Sequence, residues 1–225
     1  MAVPLIVIAV ALAIRLNTIE RDRQALKQAE LTKKMGQEMS LMEWLLRSAR
    51  QLPPHDLERE KEIIRKRMAQ LQTELASYGE LSRGLAYYAL GRGHMALHEY
   101  PQALVALQKA TAHGNKSAEV QYALGFVLGK HYEQAMHEAR LAGGGDWARK
   151  QLKEIEPRYL QPAIDSLVRS RAMQHDTSQY LEGMIAFYQR KYSAALEHAD
   201  AALRESPWLY DADKLAGDIH LEQAL

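Results

Sequence analysis

The chain has 225 residues, 47% hydrophobic and 25% charged, enough for a substantial core, although a repeated architecture would spread that core along its axis. A formal net charge of +1 gives no general electrostatic support for a nucleic-acid partner, and the absence of cysteine excludes disulfide scaffolds, thiolate metal sites and cysteine nucleophiles together. Neither fact fixes the compartment.

The N-terminal run from Ala2 to Ile14 is uncharged until Arg15. At about 1.5 Å per residue it reaches roughly 20 Å, short of the roughly 30 Å hydrocarbon core of a bilayer. Residues 1–15 read as part of a transmembrane or membrane-anchor helix whose earlier residues lie outside the sequence, giving a single-pass, membrane-associated chain. A signal peptide is the second reading, without a basic region ahead of the apolar run or an obvious cleavage site after it. A buried terminal helix is the third.

From Leu16 to Gln51 there is no proline and one glycine, Gly36, and apolar residues recur at Leu31, Met35, Met39, Met42, Leu46 and Ala49, as one helix stripe requires. Pro53-Pro54 interrupts it. Asp56 is placed to cap a second helix, which carries Leu57, Ile64, Met68, Leu71, Leu75 and Tyr78 on one face. The two stripes predict a helical hairpin over 16–80. The same pattern, close to a heptad in period, also permits a homodimeric coiled coil through these helices.

Beyond residue 84 the chain repeats. Leu85-Ala86-Tyr87-Tyr88-Ala89-Leu90-Gly91-Arg92-Gly93-His94 returns in shortened form as Tyr122-Ala123-Leu124-Gly125, Tyr180-Leu181-Glu182-Gly183 and Leu215-Ala216-Gly217. The interval from Gly91 to Gly125 equals that from Gly183 to Gly217, and at about 34 residues it is a period that signals stacked helical hairpins. Ala103, Leu107 and Ala110 follow Gly91 on one helix face; Ala195, Ala199 and Ala202 follow Gly183 at the same offsets, closed by Pro207. Pro101 suits the first turn of a second helix, and His113-Gly114-Asn115-Lys116 suits its end. The second unit is elongated. Ala163 answers to Ala103, but it follows Gly125 only after an insertion of roughly 26 residues in the hairpin. That insertion offers a turn at Gly143-Gly144-Gly145, a cap at Asp146 and a break near Glu156 caused by Pro157. The predicted organisation is an all-α solenoid with units 84–117, 118–175 (elongated), 176–209 and 210–225 (partial).

This spacing resembles the tetratricopeptide repeat (TPR), whose small residues let two helices cross closely. That resemblance implies an interaction scaffold with a concave groove lined by the first helix of each hairpin. Carried over by position, the groove residues are Tyr88, Arg92 and Met95, then Tyr122, Phe126 and Lys130, then Leu181, Met184, Phe187 and Tyr188, and the partner is a protein or peptide with apolar anchors and an acidic group. About half of the aromatics are equally explained by packing between repeats. A wider resemblance covers nearly the whole chain. The order of the apolar span, Met42-Glu43-Trp44-Leu45-Leu46-Arg47-Ser48-Ala49, Pro53-Pro54-His55-Asp56, Glu58-Arg59-Glu60 and Tyr88-Ala89-Leu90-Gly91-Arg92-Gly93-His94 is similar to the region following the kinase domain in a group of large bacterial serine/threonine protein kinases. It implies a sensory or docking module beyond a membrane span, with the repeats extracytoplasmic. The basic residues after the span, Arg15, Arg21, Arg23, Lys27, Lys33 and Lys34, favour the cytoplasmic side instead. A membrane-anchored TPR assembly factor unrelated to a kinase is the alternative.

Three patterns invite chemical readings that their context does not sustain. Gly91-Arg92-Gly93-His94-Met95-Ala96 matches a dinucleotide fingerprint but sits inside a helix rather than after a strand. His94 and His98 share a helix face, yet Met95 stands where a zincin would place glutamate. Asp211, Asp213, Asp218 and Glu222 read as a solvated helix face. No cofactor or metal is expected, and no Gly-rich loop, His-Arg-Asp or Asp-Phe-Gly occurs. The purified chain is therefore expected neither to bind nor to hydrolyse ATP, and stoichiometric binding by titration calorimetry would contradict this.

Overall fold

The computed structural model describes residues 2–51, 56–141, 150, 153–172 and 178–224. Every regular element among them is helical: α1 (Ala2–Gln51), α2 (Glu58–Glu74), α3 (Glu80–Ala96), α4 (Tyr100–Ala112), α5 (Ala118–Leu141), α6 (Gln161–Arg169), α7 (Ser178–Tyr188), α8 (Tyr192–Glu205) and α9 (Tyr210–Ala224). α3 pairs with α4, α5 with α6 and α7 with α8, while α4 packs on α5 and α8 on α9, which makes a stack of antiparallel hairpins with α9 at its C-terminal edge.

Two of the repeated glycines, Gly91 and Gly125, are tight contact points between paired helices. A Cβ built on Gly91 would lie 2.7 Å from Leu107 Cγ; one on Gly125 would lie 2.6 Å from Leu167 Cγ and 3.0 Å from the Ala163 carbonyl oxygen. Ala103, Ala163 and Ala195, at the matching place on the facing helices, are fully buried. A side chain at Gly91 or Gly125 would push the paired helices apart, so the interval between these two glycines is an interval between close crossings. Gly93 does the same toward the N-terminal helices, since its Cβ would sit 2.7 Å from Met68 Sδ and 3.3 Å from Met42 Sδ. The dinucleotide-like spacing thus has a packing cause.

The turns repeat as well. His98 and Arg190, at the same offset past Gly91 and Gly183, both have φ of 59°. The Glu99 amide donates to the His94 carbonyl at 2.9 Å and the His98 amide to that of Met95 at 3.0 Å; Lys191 and Arg190 donate to Ala186 and Phe187 at 2.9 and 2.8 Å in the same pattern. These are Schellman caps with a left-handed residue after the helix. The corresponding position in the second unit is Tyr132, where α5 continues to Leu141. The return passes through a π-helical turn, Glu156–Leu160, which contains Pro157 and leads into α6. The expected glycine turn at 143–145 and cap at Asp146 lie outside the described residues, as do Pro53-Pro54 and the start of the third unit near residue 177.

The elongated hairpin does not stand away from the array. The Arg140 guanidinium binds Glu222 of α9 through two hydrogen bonds of 2.8 and 2.6 Å, Arg190 binds Glu156 at 2.5 Å, and Tyr132 packs edge-on to Tyr188. The two stripes of the N-terminal helices do not simply bury each other either. Met35 and Met42 of α1 and Ile64, Met68 and Leu71 of α2 converge on Ala86, Ala89 and Leu90 of α3, so both helices cover the exposed face of the first repeat. Lys34 bonds Glu74 at 2.9 Å and Arg67 bonds Glu38 at 2.7 Å across the α1–α2 pair.

The membrane expectation is overturned. No helix among the described residues is long and apolar enough to cross a membrane. α1 has 50 residues, but its apolar run ends at Arg15 and continues, without a break in the helix, into Glu20, Arg21, Asp22 and Arg23. The single-pass localisation of residues 1–15 is therefore withdrawn.

Because Gly125 is closed in and Gly217 has nothing within 4 Å of an added Cβ, alanine at the two positions should have opposite effects. Gly125→Ala should destabilise by about 1–3 kcal/mol through overpacking, whereas Gly217→Ala should stabilise by up to about 1 kcal/mol through helix propensity, as read by denaturant unfolding.

Candidate partner-binding face

On α5, Gly125 turns toward α6, while Val120, Ala123 and Val127 are buried toward α3 and α4. Tyr122, Phe126, Lys130 and Glu133, at helical spacing along α5, form the remaining stripe and are all half-buried. Lys130 lies 5.5 Å above the centre of the Phe126 ring and forms an ion pair of 2.5 Å with Glu133. Tyr122 lies against Phe126 with ring centres 6.5 Å apart, and Phe126 lies 6.3 Å from Tyr100. Tyr100 hydrogen-bonds His98 at 2.8 Å, and those rings meet edge-on at 5.8 Å. The chain thus builds a continuous aromatic strip, His98, Tyr100, Phe126 and Tyr122, from the α3–α4 turn and one face of α5.

The strip continues onto α3 in altered form. Tyr88 stands one repeat period before Tyr122 but is buried among Ala103, Leu107, Ala123 and Val127. Its hydroxyl accepts a 3.0 Å hydrogen bond from Arg92 Nη1, and the guanidinium lies over its ring at 5.9 Å. Arg92 is half-buried, and Met95 packs beside Tyr100 and Phe126 on the same cluster.

On α7 the face is closed. Tyr180, Met184 and Tyr188, the counterparts in the third unit of Tyr122, Phe126 and Lys130, are all buried, with Tyr122, Phe126 and Tyr132 packed against their cluster. The Tyr188 hydroxyl donates to Glu133 Oε1 at 2.9 Å, and its ring occupies the space that a side chain at Gly129 would need. Burial, with the nearby Glu133 carboxylate, holds the Tyr188 phenol well above its ordinary range; burial first, then Tyr122 and Asp211, does the same for Tyr180. Both are neutral hydroxyls over the ordinary pH range, fixed in the core.

The ten residues proposed for a groove therefore divide. Arg92, Met95, Tyr122, Phe126, Lys130 and Phe187 are partly accessible, and Tyr88, Leu181, Met184 and Tyr188 are between 4 and 7% exposed. The sequence reading missed His98 and Tyr100, although Tyr100 occupies the turn position that Tyr192 holds in the third unit. His94 and His98 do not converge: His94 bonds Glu99 at 2.8 Å and His98 bonds Tyr100. No group of three or more metal-ligating side chains occurs among the described residues.

No protein-family model matches the chain, and no curated protein matches it. Among solved structures it is similar to YrrB, described as a TPR protein with an unusual peptide-binding site, at 23% identity and a TM-score of 0.30, covering 69% of this chain and 84% of that one. The stacked-hairpin architecture rests on the chain's own glycine crossings and repeated caps.

The division of Tyr88 from Tyr122 is measurable. Tyr88→Ala should cost about 3 kcal/mol or more in unfolding free energy, as a large buried aromatic does, while the half-buried Tyr122 should cost about 1 kcal/mol.

Proposed function

We propose that the chain is a non-catalytic interaction module that holds a peptide or protein segment against the α3–α5 face. The observation that supports this most is the half-buried strip of Tyr100, Phe126 and Tyr122, with Lys130, paired to Glu133, over Phe126 and with Arg92 over the neighbouring Tyr88. Rigid aromatic rings carry binding energy at small entropic cost, and two cations at the strip's margins favour a segment with an apolar anchor beside a carboxylate. With Tyr180, Leu181, Met184 and Tyr188 buried and Phe187 partly accessible on α7, the face centres on the first two hairpins. Attachment to a bacterial serine/threonine kinase is supported by the motif order from Met42 to His94 alone, and the coding sequence upstream of Met1 separates it from a free-standing scaffold.

A photo-crosslinking amino acid in place of Phe126, introduced in host cells, should capture the partner, and the same group in place of the outward-facing Gln108 should not. With that partner in hand, Tyr122→Ala and Phe126→Ala should each weaken binding by roughly 30-fold, about 2 kcal/mol. Lys130→Glu should weaken it further at low salt than at high salt. Unchanged affinity in all three variants would place the binding face elsewhere.

A further inference from the structure

α1 extends well beyond the part that covers the first repeat. From Leu12 to Glu30 its described side chains are exposed, including Leu12 at 58%, Ile14 at 63%, Leu16 at 60%, Ile19 at 45% and Leu26 at 71%. Ile14 apart, these apolar residues share one stripe. Leu12, Leu16, Ile19, Arg23 and Leu26 alternate steps of four and three, which makes Leu12, Ile19 and Leu26 successive d positions and Leu16 and Arg23 successive a positions of a heptad. The flanking g positions are then Arg15 and Asp22, and the e positions of the following heptads are Glu20 and Lys27.

We propose that this segment forms a parallel, in-register, two-stranded coiled coil with a second copy of the chain. In that arrangement each g residue meets the e residue of the next heptad in the other strand. Arg15 faces Glu20 of the second copy and Asp22 faces Lys27 of the second copy, so all four flanking pairs of the dimer have opposite charge. An antiparallel pairing that overlaps the whole segment sets Glu20 against Glu20 and Asp22 against Asp22, and is disfavoured. Arg23 in an a layer lowers stability and holds register and strand number, as a polar residue at that position does. The occupant is thus selected by charge order as well as by apolar spacing. The segment is short, so association is modest and depends on concentration. The arrangement would place two α3–α5 faces on one assembly, where a bivalent partner gains from effective concentration.

The whole chain, in sedimentation equilibrium up to about 100 µM, should shift from 25.5 kDa toward twice that mass. Glu20→Arg should raise the dissociation constant at least ten-fold, and adding Arg15→Glu to it should restore dimerisation. Because the chain has no cysteine, Leu26→Cys under mild oxidation should give a disulfide-linked dimer, and Gln24→Cys, on the outer side of the helix, should not. None of these changes touches the repeats, so the main thermal transition should stay where it is. A chain that remains monomeric throughout the range, or a dimer that is insensitive to Glu20→Arg and fails to crosslink through Leu26→Cys, would overturn the proposal.

Discussion

The structure depends on the closeness of two helices at a glycine. At Gly91 and Gly125 the facing leucine occupies the volume that a side chain would take, and the neighbouring alanines let backbone approach backbone. Burial there is nearly complete with small residues, so the crossings hold by dense backbone contact, beside large buried side chains such as Tyr88 and Tyr180. The interval between glycines sets where each hairpin crosses. The spacing of the crossings in turn decides which side chains of α3 and α5 remain uncovered.

The elongated second hairpin alters the usual logic of a repeat array, in which each unit leans on its neighbours alone. By running past the position where His98 and Arg190 turn their chains, α5 carries Tyr132, Glu133 and Arg140 alongside the third hairpin and as far as α9. The partly exposed ion pairs contribute little singly, because water screens them. The buried contact at Gly129 and Tyr188 matters more, since two rigid groups share one space there. The extension is a strut, and it closes the face of α7 that would otherwise have continued the strip.

Much of this was legible from residue spacing. The glycine interval, the insertion in the second hairpin and the disturbance at Pro157 follow from glycine, alanine and proline, whose backbone effects are local. The extent of α1 was less legible, because an apolar run from Ala2 to Ile14 suggests a change of environment at Arg15, whereas a helix continues wherever nothing breaks it. The candidate face was legible by half. Register alone places Tyr88 and Tyr122 at the same repeat position, but it cannot say that Tyr88 meets Leu107 and Val127 while Tyr122 stands at a margin. Exposure is set by the neighbouring helices, and His98 and Tyr100 join the strip only because a turn folds them back toward Phe126.

The central claim is that recognition occurs on the face built from α3, its turn and α5. Hydrogen–deuterium exchange of the whole chain, with and without a saturating crosslink-identified partner, tests it most directly. Added protection should fall on residues 92–100 and 118–133, with α4 beyond Tyr100 and α8 unchanged. Protection confined to α4, α8 or α9, with those two segments unaltered, would contradict the account.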